Sequence, residues 1–450
     1  MPGDTTPVTI LSGALGAGKT TTLNYLLTNA GGRRIAVLVN DMGEVNVDAD
    51  LVQNRDGNVA ELSNGCICCD LRDDLEVEVS RLAREREFDY LVVESSGISE
   101  PAPVARLFTT GAASAPYHLD TLVTLVNAET FREMLADDEV VTTEDLRRTR
   151  PGQAESDDEE TRPLSDLLAA QVECANVLLV NKCDLADEKQ IAETEAFLDA
   201  LNPAAKQHRT THGEVDLGDI LGTDLFELDT VSETAAWQRA AEHAEGAHSE
   251  EDAHSEEDAH SEEGAHDDAD HDDTDHDDTD HDDADHDDTD HAHHSPQAEY
   301  GVDSFVFRAR RPFDPEAFAS FVADLPPSVL RSKGQFWAVG RDEFAFVYSQ
   351  AGPTARITRG EQWIAAMPET RQEMQRRMNP DLTWDEDVGD RRTELVFIGT
   401  EMNEESLRER LTACLLDTEC DWSGEDHPFP DSDEDALPIR TSAGATSRVP

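Results

Sequence analysis

Glycines at positions 13, 16 and 18, a lysine at 19 and threonines at 20 and 21 fall within one short stretch, GALGAGKTT. The order fits G-x4-G-K-[ST], and the chemistry open to it is holding phosphates. Glycines let backbone N–H groups approach a β-phosphate with no Cβ in the way. Lys19 can reach the β- and γ-phosphates, and the Thr20 hydroxyl is placed for Mg²⁺. The alternative is a glycine turn with a chance lysine. The apolar, β-rich PVTILSG before it and the helical TTLNYLLTNA after it favour the phosphate loop.

Two later stretches extend the same chemistry. LVVESSG puts Glu94 at the end of an apolar strand, where a carboxylate can face Mg²⁺ or its waters. Gly97 follows, with an N–H that can sense a γ-phosphate. NKCD also closes a strand. There Asp184 could accept from the N1 and N2 donors of guanine, which adenine lacks, so it selects GTP. Lys182 would lie along the base and Asn181 would brace the loop. Taken alone NKCD could be a solvated turn; after a phosphate loop, in this order, the nucleotide reading leads.

Between these stretches lies CICC. Cys66, Cys68 and Cys69 are three of seven cysteines, within four positions. Thiolates suit Zn²⁺ and Co²⁺, and two or three from one loop can face one ion. Buried, inert cysteines are the plainer alternative. Metal loading through thiolates weakens in acid. A second metal signal is the tract from His243 to His294, with 12 histidines, 24 carboxylates and neither Lys nor Arg. His266, His271, His276, His281, His286 and His291 recur every five residues. Such spacing closes no single site; it makes a string of weak, interchangeable ones, or else a solubilising acidic linker.

Behind these residues stand the elements that must position them. RRIAVLVND, FDYLVVESSG, DTLVTLVNA and ANVLLVNKCDL join PVTILSG as apolar strands separated by helices. Continuous apolar strands are buried on both faces, which predicts a mostly parallel sheet with flanking helices, an α/β P-loop NTPase. That domain is expected over 1–235, with a polar insertion over 136–163 and an amphipathic helix after CICC. Residues 236–298 form the disordered His/Asp-rich linker, and 299–421 a smaller α+β domain. There RSKGQFWAVG, EFAFVYSQAG and ARITRGEQWIAAM read as antiparallel strands. An acidic disordered tail is expected over 422–450.

Composition excludes some partners. The chain has 450 residues, with 36 Lys and Arg against 99 Asp and Glu, a formal charge of −63. Nucleic acid and anionic membranes offer it nothing to neutralise. No segment approaches the ~20 apolar residues of a membrane span, no secretory leader opens the chain, and the clustered cysteines do not form a secreted disulfide framework. A cytoplasmic protein is expected. The His tract holds 24 of the 99 acidic residues, so most of the excess lies elsewhere. That points to a halophilic cytoplasm, where salt mutes self-repulsion.

The motifs GALGAGKTT, VNDMGEVNVD, GCICC, ESSGISEP and QVECANVLLVNKCDL, with RSKGQFW and GDRRTELVFIG later, resemble the CobW-type GTPases. These are relatives of the nickel-delivery GTPases of urease (UreG) and hydrogenase (HypB) maturation. The resemblance spans both domains. It implies a SIMIBI-type P-loop GTPase with a CobW C-terminal domain, using GTP and Mg²⁺ and passing Zn²⁺ or Co²⁺ to a client metalloprotein or a cobalamin-biosynthesis enzyme. It also implies a nucleotide-dependent dimer. Lys19, Thr20, Glu94 and Asp41 become the catalytic set. Thr20, Asp41, Glu44 and Glu94, with Asp48, become candidates for Mg²⁺ or cargo metal. Asp41 stands where the CobW type usually has Glu, and Asn127 where it tends to have Asp. With no Gln or Arg finger in evidence, hydrolysis is expected to be slow and partner- or metal-stimulated. A metal-storage or sensing protein with regulatory nucleotide is the first rival reading; an ATP-dependent P-loop kinase is the second, which NKCD opposes.

The charge balance makes a direct prediction. Thermal melting between dilute buffer and molar KCl should show a midpoint that climbs with salt; full stability in dilute buffer would remove the halophilic reading.

Overall fold

The computed structural model describes residues 5–39, 88–95, 97–109, 114–137, 140–142, 161–227, 301–379, 382–416, 427–432 and 436–442. The N-terminal part runs β1 (Thr6–Gly13), α1 (Lys19–Thr28), β2 (Ile35–Val39), β3 (Tyr90–Glu94), α2 (Pro101–Thr109), β4 (Tyr117–Asn127), α3 (Phe131–Ala136), β5 (Val140–Thr142), β6 (Thr161–Pro163), α4 (Leu164–Glu173), β7 (Val177–Asn181), α5 (Glu188–Leu201) and β8 (Lys206–Arg209). Six strands form one sheet in the order β2-β3-β1-β4-β7-β8, parallel throughout. Their side chains alternate between two apolar layers. Val8, Ile10, Leu91 and Val93 meet Val104, Leu107 and Phe108 of α2. Leu11, Val92, Val123 and Leu125 pack with apolar residues of α1, α4 and α5. Burial on both faces explains why these strands read as unbroken apolar runs. At the base of the polar insertion, Val140–Thr142 pairs antiparallel with Thr161–Pro163.

The C-terminal part runs β9 (Val302–Ala309), α6 (Pro315–Ala323), β10 (Val329–Phe336), β11 (Phe344–Ala351), β12 (Thr354–Gln362), α7 (Glu369–Met378), β13 (Thr393–Thr400), α8 (Glu404–Ala413) and β14 (Ala436–Arg440). Its antiparallel sheet has the order β14-β12-β11-β10-β13-β9. Phe305, Phe307, Leu395 and Phe397 face a phenylalanine-rich core with α6 and α8. Val306, Val396 and Ile398, one residue out of phase, join the core of the N-terminal domain. The strand period of two thus splits each strand between two cores. Asp314 starts α6 by accepting from the N–H groups of Glu316 and Ala317, each at 2.9 Å, with Pro315 at the first helical position.

Two sequence expectations change here, and one helix is new. The stretch ARITRGEQWIAAM is a strand only to Gln362. Asp390 then accepts from the N–H groups of Ile364 (2.9 Å) and Ala365 (2.8 Å), turning the chain into a short 3-10 helix. The disordered tail over 422–450 contains β14, which pairs with β12 while Leu437 and Ile439 pack on the phenylalanine core. Helix α7 went unread because none of its residues is buried, leaving no apolar stripe to see.

The two domains meet at α4, whose Leu164, Leu167, Leu168 and Val172 are buried along with Ser165, Gln171 and Glu173. A helix buried all round lies between two layers, here β1 on one side and β11 on the other. Asn202 tethers its C-terminal end, donating to the carbonyls of Val172 (2.8 Å), Glu173 (3.2 Å) and Ala175 (2.8 Å). Glu173 is only 6% exposed and accepts from Arg331 (2.7 Å) and Lys333 (3.0 Å) of β10. Arg331 and Lys333, two apart on a strand, share one face. Arg331 is 1% exposed and also donates to Ser349 Oγ and the Gln350 carbonyl, each at 3.0 Å. Burial alone would push the Glu173 carboxyl up; the Arg331 guanidinium and Lys333 ammonium outweigh it and hold it below the usual carboxylate range.

Because the folded value is depressed, this contribution is complete above the unfolded carboxylate value of about 4.3 and is lost as pH falls through the folded one. Glu173→Ala leaves Lys333 and Arg331 buried without that carboxylate, and should cost about 3–5 kcal/mol in denaturant titration at pH 7. The difference between wild type and variant should shrink below pH 4.

Candidate functional site

Strand β1 ends at Gly13, the chain turns through Ala14–Gly18, and α1 begins at Lys19. The backbone at Gly13, Gly16 and Gly18 has φ of 131°, 76° and 111°, a region that side-chain-bearing residues rarely enter. Two of these glycines also permit close approach. A Cβ on Gly13 would lie 2.3 Å from the Leu125 carbonyl oxygen, and one on Gly18 would lie 2.3 Å from Asn181 Nδ2. No side chain caps α1, so the N–H groups of its first turn are presented to an anion. Lys19 is buried and its Nζ donates to the carbonyls of Gly13 (2.8 Å) and Ala14 (3.1 Å), which places the ammonium on the loop. Thr21 is exposed on the next position of the helix.

Glu94 closes β3, and β3 lies beside β1. Its buried carboxylate accepts from the Thr20 hydroxyl at 3.1 Å. A hydroxyl and a carboxylate in contact at the first turn of α1 form an oxygen donor set that suits Mg²⁺ or its waters. Gly97 approaches the phosphate loop so closely that a Cβ there would sit 2.6 Å from Leu15 N. Glu94, Gly97, Lys19 and Thr20 are thereby one cluster at the carboxyl ends of β1 and β3, where parallel sheets bind ligands.

Asn181 ends β7 and joins three segments. Its Nδ2 donates to the Ala17 carbonyl at 2.8 Å. Its Oδ1 accepts from Thr210 Oγ1 (3.1 Å) and from Gly213 N–H (3.0 Å). Lys182 has φ of 63° and opens the turn that carries exposed Asp184. Asn127 pairs with Asn181 in register and accepts from the Glu129 N–H at 3.0 Å, which shapes the turn after β4.

The Thr210–Gly213 segment was not singled out in the sequence. It follows the short strand β8 and carries only the weak turn signal of THG. Gln171 was also missed: it sits in QVEC, and its buried amide donates to the carbonyls of Gly97 (3.3 Å) and Ser99 (3.0 Å). Nothing local marks a buried glutamine as part of a site.

Asp41, Glu44, Asp48, Cys66, Cys68, Cys69, the helix expected after them and the tract histidines lie outside the described residues. Among the described residues, no group of three or more His, Cys, Asp and Glu could hold a metal. Cys174 and Cys183 are half-buried and Cys414 is buried, all three as thiols. Burial raises the Cys183 thiol and pushes Cys414 up to about 11. These are packing residues and not ready thiolates. No helix among the described residues is long and apolar enough to cross a membrane.

The strand order, the glycine loop opening α1 and the acid at the end of β3 define a P-loop nucleotide-binding protein. Residues 7–209 match the family described as CobW/HypB/UreG, nucleotide-binding domain, and 302–415 match the cobalamin synthesis protein cobW C-terminal domain. The chain belongs to this CobW family. It is 35% identical over 435 residues to the zinc-regulated GTPase metalloprotein activator 1 of Dictyostelium discoideum, covering 91% of this chain and 80% of that one. It is 33% identical to the zinc chaperone CobW of Pseudomonas aeruginosa, over 48% of this chain and 59% of that one. The Zn(II)-bound YjiA GTPase of E. coli aligns at 20% identity over 92% of this chain and 100% of that one, with a TM-score of 0.37.

Asn181→Ala removes one donor and one doubly used acceptor at once. Fluorescent-nucleotide titration should show affinity falling about tenfold or more for GDP and GTP alike, since the groups it leaves cost about 1–3 kcal/mol each.

Proposed function

We propose that this chain is a GTP-hydrolysing metallochaperone that binds Zn²⁺ or Co²⁺ at Cys66, Cys68 and Cys69 and transfers it to a client metalloprotein. The observation that carries the reading is where β2 ends. Val39 is the register partner of Glu94, so the segment bearing Asp41, Glu44 and the three cysteines leaves the sheet beside the acid of the nucleotide site. The same segment rejoins the sheet at Tyr90, the register partner of Ile35 at the other end of β2, and β3 then runs up to Glu94. Both ends of the metal-binding stretch are thus tied to strands of the nucleotide sheet. The relatives named as a zinc-regulated GTPase activator and a zinc chaperone support the same reading.

Each group has a role in it. Backbone N–H groups of Gly13–Thr21 hold the phosphates, and Lys19 moves its ammonium from the Gly13 and Ala14 carbonyls to phosphate oxygens. Thr20 and Glu94 would hold Mg²⁺ or its waters; the ion neutralises charge developing on the transferred phosphoryl group. Gly97 N–H meets the γ-phosphate, and Asp184 accepts from guanine while Lys182 lies along the base. Three thiolates give a soft donor set for Zn²⁺ or Co²⁺. GTP tightens the hold of the thiolates on the cargo ion, and hydrolysis releases it. The tract histidines collect ions for it at many weak sites.

The test is metal affinity of wild type and of Cys66→Ala/Cys68→Ala/Cys69→Ala, each with a GTP analogue and with GDP. Wild type should bind the ion at least tenfold more tightly with the analogue, and the variant should lose that difference. Equal affinity in both nucleotide states, together with negligible GTP turnover in the presence of metal, would replace delivery by storage or sensing.

A further inference from the structure

Gln171 and Glu173 stand two residues apart on α4. At 100° per residue, two steps turn a helix by about 200°, so the two side chains leave on opposite sides. One side is the nucleotide layer. There Gln171 Nε2 donates both hydrogens, to the Gly97 carbonyl at 3.3 Å and the Ser99 carbonyl at 3.0 Å. The other side is the C-terminal sheet, where Glu173 holds Arg331 and Lys333 of β10.

Both grips are buried, and the helix between them is fixed. The Gln171 carbonyl accepts from Thr124 Oγ1 of β4 at 2.8 Å, and Asn202 ties down the final turn. Further along the same helix, Ser165 Oγ donates to the Ala351 carbonyl at 2.9 Å, and Asp166 accepts from Ser349 Oγ at 3.1 Å. Thus α4 is bonded to the phosphate-sensing loop at one residue, Gln171, and to β10 and β11 at three, Ser165, Asp166 and Glu173.

Gly97 itself has no slack. It touches Leu15 of the phosphate loop with only the space a glycine leaves. A γ-phosphate that draws the Gly97 N–H inward must also shift its carbonyl, and that carbonyl is bonded to Gln171.

We infer that Gln171 is the positioning residue of the Gly97–Ser99 loop, and that α4 carries the nucleotide state from it through Glu173 to the C-terminal sheet. Gln171 touches neither substrate nor metal; it acts through Gly97. It sets the discrimination of GTP from GDP, and Glu173 transmits the result to the C-terminal sheet. The inference rests on the GTP reading given above. Coupling between two such sites is a free-energy difference between two states, and each state must be readable at both ends.

Hydrogen exchange on the full-length wild type reads both ends without a variant. Exchanging a GTP analogue for GDP should alter protection in residues 97–101 and also in 329–336. A change confined to 97–101 overturns the relay. Gln171→Met, which removes both donors, should weaken binding of the GTP analogue about five- to tenfold and leave GDP within about twofold. It should lower kcat for GTP and abolish the nucleotide-dependent change in 329–336. Glu173→Gln should keep the wild-type GTP-to-GDP ratio and still lose the response in 329–336. A purely structural role for Gln171 would weaken both nucleotides equally, and that result overturns the inference. A wild type that binds neither nucleotide overturns the GTP reading, and this inference with it. A wild type that discriminates GTP from GDP, with Gln171→Met unchanged, overturns the inference alone.

Discussion

The Glu173 carboxylate is the constraint on which the two-domain arrangement depends. Its two oxygens are shared between Arg331 and Lys333, each at hydrogen-bond distance, in a place nearly closed to water. Buried charges of this kind add little net stability over an apolar contact of equal size, because desolvation offsets much of the attraction. Their effect is on geometry. An apolar interface could slide by a fraction of a side chain, but this one holds two cations on alternate residues of a strand against one carboxylate. Ser349, Gln350 and Asp166 take up further donors of Arg331, so the guanidinium has one place to sit. Packing is supplied separately, by Val306, Val396 and Ile398 joining the core of the N-terminal domain.

The nucleotide site follows a related logic with backbone in place of charge. Gly13, Gly18 and Gly97 each let a second segment come within a distance that any Cβ would forbid. The partners are Leu125 at the end of β4, Asn181 at the end of β7, and Leu15 in the phosphate loop itself. Asn181 then bonds this loop to Thr210 and Gly213 after β8. Five strand ends, those of β1, β3, β4, β7 and β8, are therefore fixed relative to one another before any ligand is considered, which is how a preorganised phosphate cradle is held.

Much of this was legible in the sequence because its causes are local. Glycines followed by Lys-Thr between an apolar run and a helical one specify the loop, and doubly buried strands announce a parallel sheet by being apolar without interruption. Of the antiparallel strands of the second domain, EFAFVYSQAG was equally readable, an aromatic-rich run whose Phe346 and Tyr348 are buried. What escaped depends on partners distant in the chain. Strand β14 is five residues of which Leu437 and Ile439 pack on the core, and only its ladder with β12 makes it a strand. The end of β12 is set by Asp390, far along the chain from the turn it caps. Gln171 and Glu173 carry no local mark of burial; Gln171 is covered by the Gly97–Ser99 loop, and Glu173 by a sheet contributed by residues 302–400.

The placement of α4 explains why a helix serves at this junction where a loop would not. A loop can absorb a shift of an ångström by rotating its own dihedrals, so motion at one end dies within a few residues. A helix with its carbonyls satisfied, its last turn held by Asn202 and its sides packed between two sheets cannot bend so cheaply. It moves as a unit or not at all. Displacement at the Gly97–Ser99 loop therefore has two outlets, breaking the Gln171 bonds or moving the helix. Breaking them strands two buried carbonyls at about 1–3 kcal/mol apiece. Moving the helix must in turn move β10, because the alternative is separating Glu173 from two buried cations, which is the costlier rupture.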